Sequence, residues 1–254
     1  MDVESATETM WRALGTGDHD PVALRGQLSI GDTPAILLGL LDRYVQAGER
    51  HAGWKVGLTA KAIQAQIGHH EPVFGFLLEC DHLLSGSTLD LKTLIHPKIE
   101  NELCLTIGTT LRGPGVTFEQ ARAAIAQVAP AFEIAEQRHA PPMDMAMVLA
   151  DRCQNKGFVT GGVVPLCDLD LATVTVDIVV NGLHQERASG GEVLGVGPIA
   201  SVVWLANKLA GYGRALEAGS RVMSGSFTRQ YDPSPGDRIE ARFASVGTVA
   251  IDVR

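Results

Sequence analysis

Three glutamates carry the chemistry that this sequence could do. Glu100 and Glu102 stand two residues apart in HPKIENELCL, and Glu133 stands in PAFEIAEQ between Ala131, Phe132, Ile134 and Ala135. In a strand, residues i and i+2 project to one face, with Cβ atoms about 7 Å apart, so the first two carboxylates lie side by side. Ile99, Leu103 and Leu105 mark that strand as well packed. Like charges held there need a compensating partner. An acid alone in an apolar strand, as Glu133 is, also requires one. A single hard divalent cation would serve all three, because Mg²⁺ takes carboxylate oxygens and keeps positions open for water and substrate. The alternative is a solvated strand face for Glu100 and Glu102, with Glu133 paired to an arginine.

Lys55, between Trp54 and Val56, is a candidate for a buried lysine with a lowered pKa that transfers protons or stabilises an enolate. A lysine snorkelling from a strand edge is the plainer reading. Asp151, Arg152 and Asn155 form a polar group before the strand GFVTGG, and Arg229 follows the small-residue run SGSFT. Either group could line a site for an anionic substrate, or simply shape a loop. Gly195, Gly197 and Ala200 spell GxGxxA before a helix, with Glu217 some way on. The preceding strand is short and Pro198 interrupts the would-be phosphate loop, so this is read as a turn into a packed helix. His69 and His70 are adjacent and point apart, which suits a loop better than a shared metal. Cys80, Cys104, Cys153 and Cys167 show no CxxC pair and are read as buried free thiols.

The elements that must position these residues follow from periodicity. Apolar Ile36, Leu37, Leu40, Leu41 and Tyr44 recur at helical spacing, capped by Asp32 or Thr33, with Pro34 in the first turn and Gly48 as the stop. AGWKVGLT reads as a strand, and Thr59 can cap a short helix, AKAIQAQI, that Gly68 ends. HPKIENELCLTIG is a strand of period 2. Thr117 and Gln120 form a capping box before a helix, FEQARAAIAQVA, followed by the strand PAFEIAEQ. Residues 139–157 read as a loop. VTVDIVVNG is a strand closed by an Asn181-Gly182 hairpin turn. Pro198 opens the helix IASVVWLANKLA, which Gly211 closes, and the last 35 residues read as strands. Strands in runs with a few helices indicate an α+β fold. Residues 1–50 form a helical N-terminal region, and residues 51–254 form the catalytic domain as one structural unit.

Bulk composition narrows the function. Of 254 residues, 45% are hydrophobic and 20% charged, as in globular proteins. A formal net charge of −8 with no basic run argues against a grip on nucleic acid phosphates. The acidic, polar start MDVESATETMW lacks the pattern of a secretory signal, and no apolar stretch reaches the roughly 18 residues of a membrane span. No membrane partner and a cytoplasmic location are expected.

Several stretches together resemble the hydratase and decarboxylase branch of the fumarylacetoacetate hydrolase superfamily. They are GWKVGLTAKAIQAQIG, HPKIENELCL, LRGPGVTFEQARAAIAQVAPAFEIAEQR, VWLANKLAGYGRALEAGSRVMSGSFTR and GDRIEARFASVGTVAIDV, in the family's order. The resemblance implies a mixed, highly curved β-roll with flanking helices, and homo-oligomers, with association to a related pathway enzyme a further expectation. It implies metal ligation by Glu100, Glu102 and Glu133, with Mg²⁺ or alternatively Mn²⁺, and an active-site role for Lys55. The implied activity is hydration of a 2-oxo-alkenoate or 2-hydroxy-dienoate through an enolate. Alternatives are decarboxylation of a vinylogous 2-oxo dicarboxylate, C–C hydrolysis of an acylpyruvate, or a lapsed subunit serving as a partner. SGSFTR is similar to members acting on seven-carbon dioates, which implies substrate binding by Arg229 with Ser226 and Thr228, and Asn155 of the polar group before GFVTGG is a further substrate-binding candidate. The chain departs from the family at EPVFG, where Val73 replaces an acid, at Asp151-Arg152, where Asp-Asn is common, and at Gly197-Pro198, where His-Pro is usual. The N-terminal helix lacks the usual Ala-Tyr and Val-Gln pattern. With Val73 in place, Asp151 is the remaining candidate to activate water.

Overall fold

The structure is a computed structural model that describes residues 1–67 and 69–254. Helix α1 (Val3–Gly15) starts where the Asp2 carboxylate accepts the Ser5 N–H at 2.9 Å. Helix α2 (Thr33–Gln46) carries Pro34 in its first turn and packs on α1 and on the sheet through Ile36, Leu37, Leu40 and Leu41. Asp32 sits at its N-cap without a side-chain bond to the helix. Then come β1 (His51–Gly57), α3 (Lys61–Ile67), β2 (Val73–Leu78), β3 (His82–Leu84), β4 (Thr88–Leu89) and β5 (Pro97–Ile107). Gly68, expected to stop α3, lies outside the described residues.

The capping box at Thr117 and Gln120 forms as expected, but α4 covers only Phe118–Ala124. The chain passes straight into β6 (Ile125–Glu136) because pairing with the long strand β5, from Ile107↔Ile125 to Pro97↔Glu136, outweighs the helical periodicity of AIAQVA. The stretch expected as a loop contains α5 (Met145–Ala150), capped by Asp144 and buried through Met147 and Leu149. Strands β7 (Asn155–Thr160), β8 (Val164–Pro165), β9 (Thr175–Val180) and β10 (Leu183–Ser189) follow. Asn181 (φ 53) and Gly182 (φ 78) supply the two left-handed positions of the β9–β10 hairpin turn. Helix α6 (Ile199–Ala210), β11 (Arg221–Met223), β12 (Arg238–Phe243) and β13 (Gly247–Val253) complete the chain.

The fold is α+β. One sheet has eight strands in the order β2-β1-β11-β5-β6-β7-β3, with β8 added on β6. The other has five, in the order β10-β9-β12-β13-β4. Both are mixed, since β1–β11, β3–β7 and β4–β13 are parallel. Strands β12 and β13 lie against β6, and the main core runs from Met10 and Leu40 through Trp54 and Phe76 to Ile251. The larger sheet is strongly curled. Lys55 on β1 and Glu133 on β6 are three strand spacings apart, about 14 Å on a flat sheet. Yet Nζ of Lys55 lies 3.3 Å from Oε1 of Glu133. The concave face between them is floored by a small cluster that includes Leu77, Cys104, Ala131, Phe158 and Met223.

Candidate metal centre

Register, more than sequence spacing, assembles the site. On β5, Glu100 and Glu102 share the face that carries Cys104, and Glu100 stands directly opposite Glu133 on β6. One carboxylate oxygen from each of the three glutamates lies within 4.8 Å of the other two. Glu102 and Glu133 are buried at 0% and 1% exposure, and Glu100 is half-buried. Burial, and then repulsion from Glu133, raises the pKa of Glu100; the same two causes, with Glu100 added, raise that of Glu102 well above the usual carboxylate range.

Each carboxylate is tied through one oxygen only. Gln230 Nε2 donates to Glu100 Oε1 at 2.7 Å. The Gly225 N–H donates to Glu102 Oε2 at 2.8 Å, and Asn155 Nδ2 donates to Glu133 Oε1 at 2.9 Å. Lys55 adds its ammonium to that same oxygen of Glu133. Among the described residues the second oxygen of each receives no hydrogen bond, and Oε1 of Glu102 is wholly buried in that condition. Three convergent carboxylates, each with one oxygen free of hydrogen bonds and with Oε1 of Glu102 orphaned in the interior, fit a hard, oxygen-seeking divalent cation.

The segment after β11 supplies two of these ties. Residues 224–231 continue beside β5 irregularly, with Ser224, Phe227 and Tyr231 donating N–H groups to Leu103, Asn101 and Ile99. Gly225 turns its N–H toward Glu102 with φ +104, and a Cβ there would lie 2.5 Å from Thr59 Cγ2. Only glycine satisfies both demands.

Lys55 is buried rather than snorkelling from a strand edge, but its pKa is raised, not lowered. Burial opposes its charge, yet attraction to Glu133, and less so to Cys153, Glu100 and Glu102, holds it above the ordinary lysine value. It is a cation beside the carboxylates rather than a neutral amine. Burial alone would lower its pKa; the three acids, which only the fold brings together, reverse the direction.

Asn155, Asp151 and Arg152 belong to one turn. Arg152, Cys153 and Gln154 have φ values of 52, 50 and 64, three consecutive non-glycine residues in the left-handed region. That conformation costs about 1–2 kcal/mol per residue. Gly75 makes room for it, since a Cβ there would lie 2.4 Å from the Arg152 carbonyl. Asp151 is buried, but its Oδ2 accepts Arg138 Nε at 2.7 Å, and Arg138 also donates to Glu136 at 3.1 Å. Its carboxylate is thus committed to a guanidinium. Cys153 donates to the Phe74 carbonyl, and burial pushes its thiol up to about 12.

The remaining expected residues lie around Asn101, whose side chain alternates with Glu100 and Glu102 and so points to the other face of β5. Thr228 accepts from Asn101 Nδ2, and Ser226 donates to the Asn101 carbonyl at 3.3 Å. Arg229 is exposed, 4.8 Å from the Tyr231 ring centroid and 3.5 Å from Glu186. These contacts place Ser226, Thr228 and Arg229 beside Asn101 and β10 rather than against the carboxylates. Gln230 and Gly225, which do reach the carboxylates, were not singled out in the sequence; the SGSFTRQ run marked the segment without showing which of its atoms turn inward. Gly195 and Gly197, with φ 73 and 108, form the tight turn into α6, and Glu217 bonds Thr110. All four cysteines are free, but only Cys104 and Cys153 are buried; Cys80 and Cys167 are exposed, contrary to expectation, because they sit on turns at the surface.

Residues 55–254 match the family model described as fumarylacetoacetate (FAA) hydrolase C-terminal. The chain belongs to this family. Among its relatives, 4-oxalocrotonate decarboxylase of Pseudomonas putida is 34% identical over 226 residues, 88% of this chain and 85% of that protein. The 2-hydroxyhexa-2,4-dienoate hydratase of Comamonas testosteroni is 33% identical over 229 residues, covering 89% and 86%. The solved structure of 4-oxalocrotonate decarboxylase from Pseudomonas putida G7, complexed with magnesium and adipate, superposes with a TM-score of 0.91. It is 32% identical and covers 99% of this chain and 97% of its own.

Proposed function

We propose that this chain is a divalent-metal-dependent lyase that hydrates a 2-oxo-alkenoate or 2-hydroxy-dienoate through an enolate-type intermediate. The observation that carries the reading is the set of three carboxylates, each tied through one oxygen and open at the other, with the Lys55 ammonium beside them. Glu100, Glu102 and Glu133 would hold Mg²⁺, with Mn²⁺ as the alternative. A relative solved with magnesium and adipate, a dicarboxylate, supports both the ion and the substrate class. The bound ion would supply Lewis-acid stabilisation of negative charge on the substrate's 2-oxo oxygen. Lys55, charged and fixed at 3.3 Å from Glu133, adds positive charge to the same face and holds a proton at Nζ. The apolar floor of Leu77, Ala131, Phe158 and Met223 keeps water from the carboxylates from below.

One observation favours decarboxylation as a second reading. Addition of water needs a base near the acceptor carbon, but Val73 stands at the EPVFG position and Asp151 is bound to Arg138. Loss of CO₂ from a vinylogous 2-oxo dicarboxylate needs the same charge stabilisation and no water-activating base. A panel of 2-hydroxy-dienoates and unsaturated 2-oxo dicarboxylates, assayed with Mg²⁺ and with EDTA, separates the two by product mass. Gain of water supports the hydratase and loss of CO₂ the decarboxylase; no metal-dependent turnover of any of them overturns both. Assembly into a homo-oligomer and a cytoplasmic location belong to the same proposal. No helix among the described residues is long and apolar enough to cross a membrane.

A further inference from the structure

We infer that Arg152 is a positioning residue for the metal centre, acting through the side-chain amide of Asn155 to fix the carboxylate of Glu133. The inference rests on the metal reading of the three glutamates. A carboxamide has a donor end and an acceptor end of nearly equal size, and its neighbours decide which way it faces. Asn155 is 1% exposed, so water does not make that choice. Arg152 Nη2 lies 3.3 Å from Asn155 Oδ1, and Asn155 Nδ2 lies 2.9 Å from Glu133 Oε1. A guanidinium only donates and a carboxylate only accepts, so the pair admits one orientation of the amide between them. Asn155 Nδ2 also reaches the Gly157 carbonyl at 3.4 Å, so without the guanidinium the amide is held through its Nδ2 end alone and its buried Oδ1 loses its donor.

Arg152 is itself held firmly. Its Nη2 donates to Asp81 at 2.7 Å, and its guanidinium carbon lies 5.0 Å from the Phe76 ring centroid and 5.9 Å from that of Tyr44. The left-handed run through Arg152, Cys153 and Gln154 folds Arg152 back so that it meets Asn155 three residues later. The Nε of Arg152 is buried without a partner. Strain and an unsatisfied donor are features that persist where the surroundings hold a residue in place for another's sake. Arginine follows Asp151 here where the resemblance expects asparagine.

The test is Mn²⁺ affinity of the full chain, measured by titration calorimetry, for the wild type, Asn155→Ala, Arg152→Met and the double variant. Asn155→Ala should weaken binding about 10- to 100-fold, the range for partners that orient metal ligands, and Arg152→Met about 10-fold. The double variant should bind no more weakly than Asn155→Ala, because Arg152 works through the missing amide. Arg152→Lys, which restores a donor, should recover part of the loss. Should Arg152→Met fail to fold, Asp81→Asn removes the charge that anchors the same Nη2 while leaving the packing of the guanidinium, and should weaken binding several-fold. Unchanged affinity in Arg152→Met or Asp81→Asn, or losses that multiply in the double variant, would overturn the inference while leaving the metal site standing. A wild-type chain that binds no Mn²⁺ would remove the site and the inference together.

Discussion

Opposite an acid in register, the two sheets of this molecule place different partners. On the five-stranded sheet, Asp177 faces Arg187 and Asp252 faces Arg238, with N–O distances of 2.6 and 2.9 Å. On the eight-stranded sheet, Glu100 faces Glu133, with Glu102 beside them. The first arrangement is what a strand pair adopts when only stability is at stake, since opposite charges across a ladder attract and like charges repel. The second places carboxylate oxygens within 4.8 Å of one another, and each pair, when both members are ionised, repels by about 3 kcal/mol at an effective dielectric near 20. Lys55 offsets only part of it. A fold that can place arginine opposite an acid, and places glutamate instead on its concave face, keeps those charges for a ligand.

The sharpest way to break this comparison is Glu102→Gln. The side chain keeps its size and its contact with the Gly225 N–H is the only bond at stake. Cation affinity should fall more than about 100-fold, beyond the range for residues that merely orient ligands, and turnover should vanish with it. The metal-free variant should nevertheless melt higher than the metal-free wild type, because a buried charge repelled by two neighbours has gone. Loss of activity with loss of stability would instead assign Glu102 to the scaffold, and full activity would remove it from the ligand set.

Metal addition should give the next largest effect. A cation at 100 times its dissociation constant stabilises the folded chain by about 2.7 kcal/mol. For a chain of this size that raises Tm by roughly 5–10 °C. Calorimetry with Mg²⁺ and then EDTA should show the rise and its reversal in the wild type, and no response in Glu102→Gln.

Much of this is legible in the sequence, and the remainder has a physical reason for being hidden. The alternation around Glu100 and Glu102 and the apolar flanks of Glu133 identify the three acids, because a strand's period of 2 is local information. The capping box at Thr117 is local too, and it forms. The length of α4 is not, since β5 decides where β6 begins. The pKa direction of Lys55 depends on three acids from two other strands, and the curl of the sheet brings them within reach. The contact of the Asn155 amide with Glu133 depends on the left-handed turn, which no local pattern records. Gln230 and Gly225 act through one amide and one N–H, whose direction no side-chain pattern records.

The two regions should also respond to pH with opposite sign. Glu100 and Glu102 have folded pKa values raised above their ordinary 4.5. The metal-free folded state therefore keeps protons that the unfolded chain releases, and stability falls as pH rises from about 4.5 through the folded values. Asp177 and Glu240 have folded values held down, foremost by hydrogen bonds from Arg187 and Arg242. Their contributions are present above the ordinary carboxylate range and are lost as pH falls through the folded values. The Tm difference between metal-free Glu102→Gln and wild type should narrow on acidification toward pH 4.5. The rise in Tm on adding Mg²⁺ should shrink over the same window, as protons compete for the same oxygens. A difference that is flat with pH would show that repulsion among the glutamates is not what Glu102→Gln relieves.

The smallest effect is expected at the surface. Asp177→Asn removes the acid from its pair with Arg187 and from His184, 3.0 Å away. Both basic partners are more than half exposed, at 65% and 55%, so water replaces what the carboxylate supplied. Exposed pairs of this kind contribute little once solvent screening and side-chain entropy are counted. Little or no change in Tm is expected, and what change there is should fade in high salt. The Mg²⁺ response should match that of the wild type. A large drop in Tm, or an altered Mg²⁺ response, would mean that the two sheets are coupled. The contrast between an acid kept for stability and an acid kept for a ligand would then have to be drawn within one network rather than between two faces.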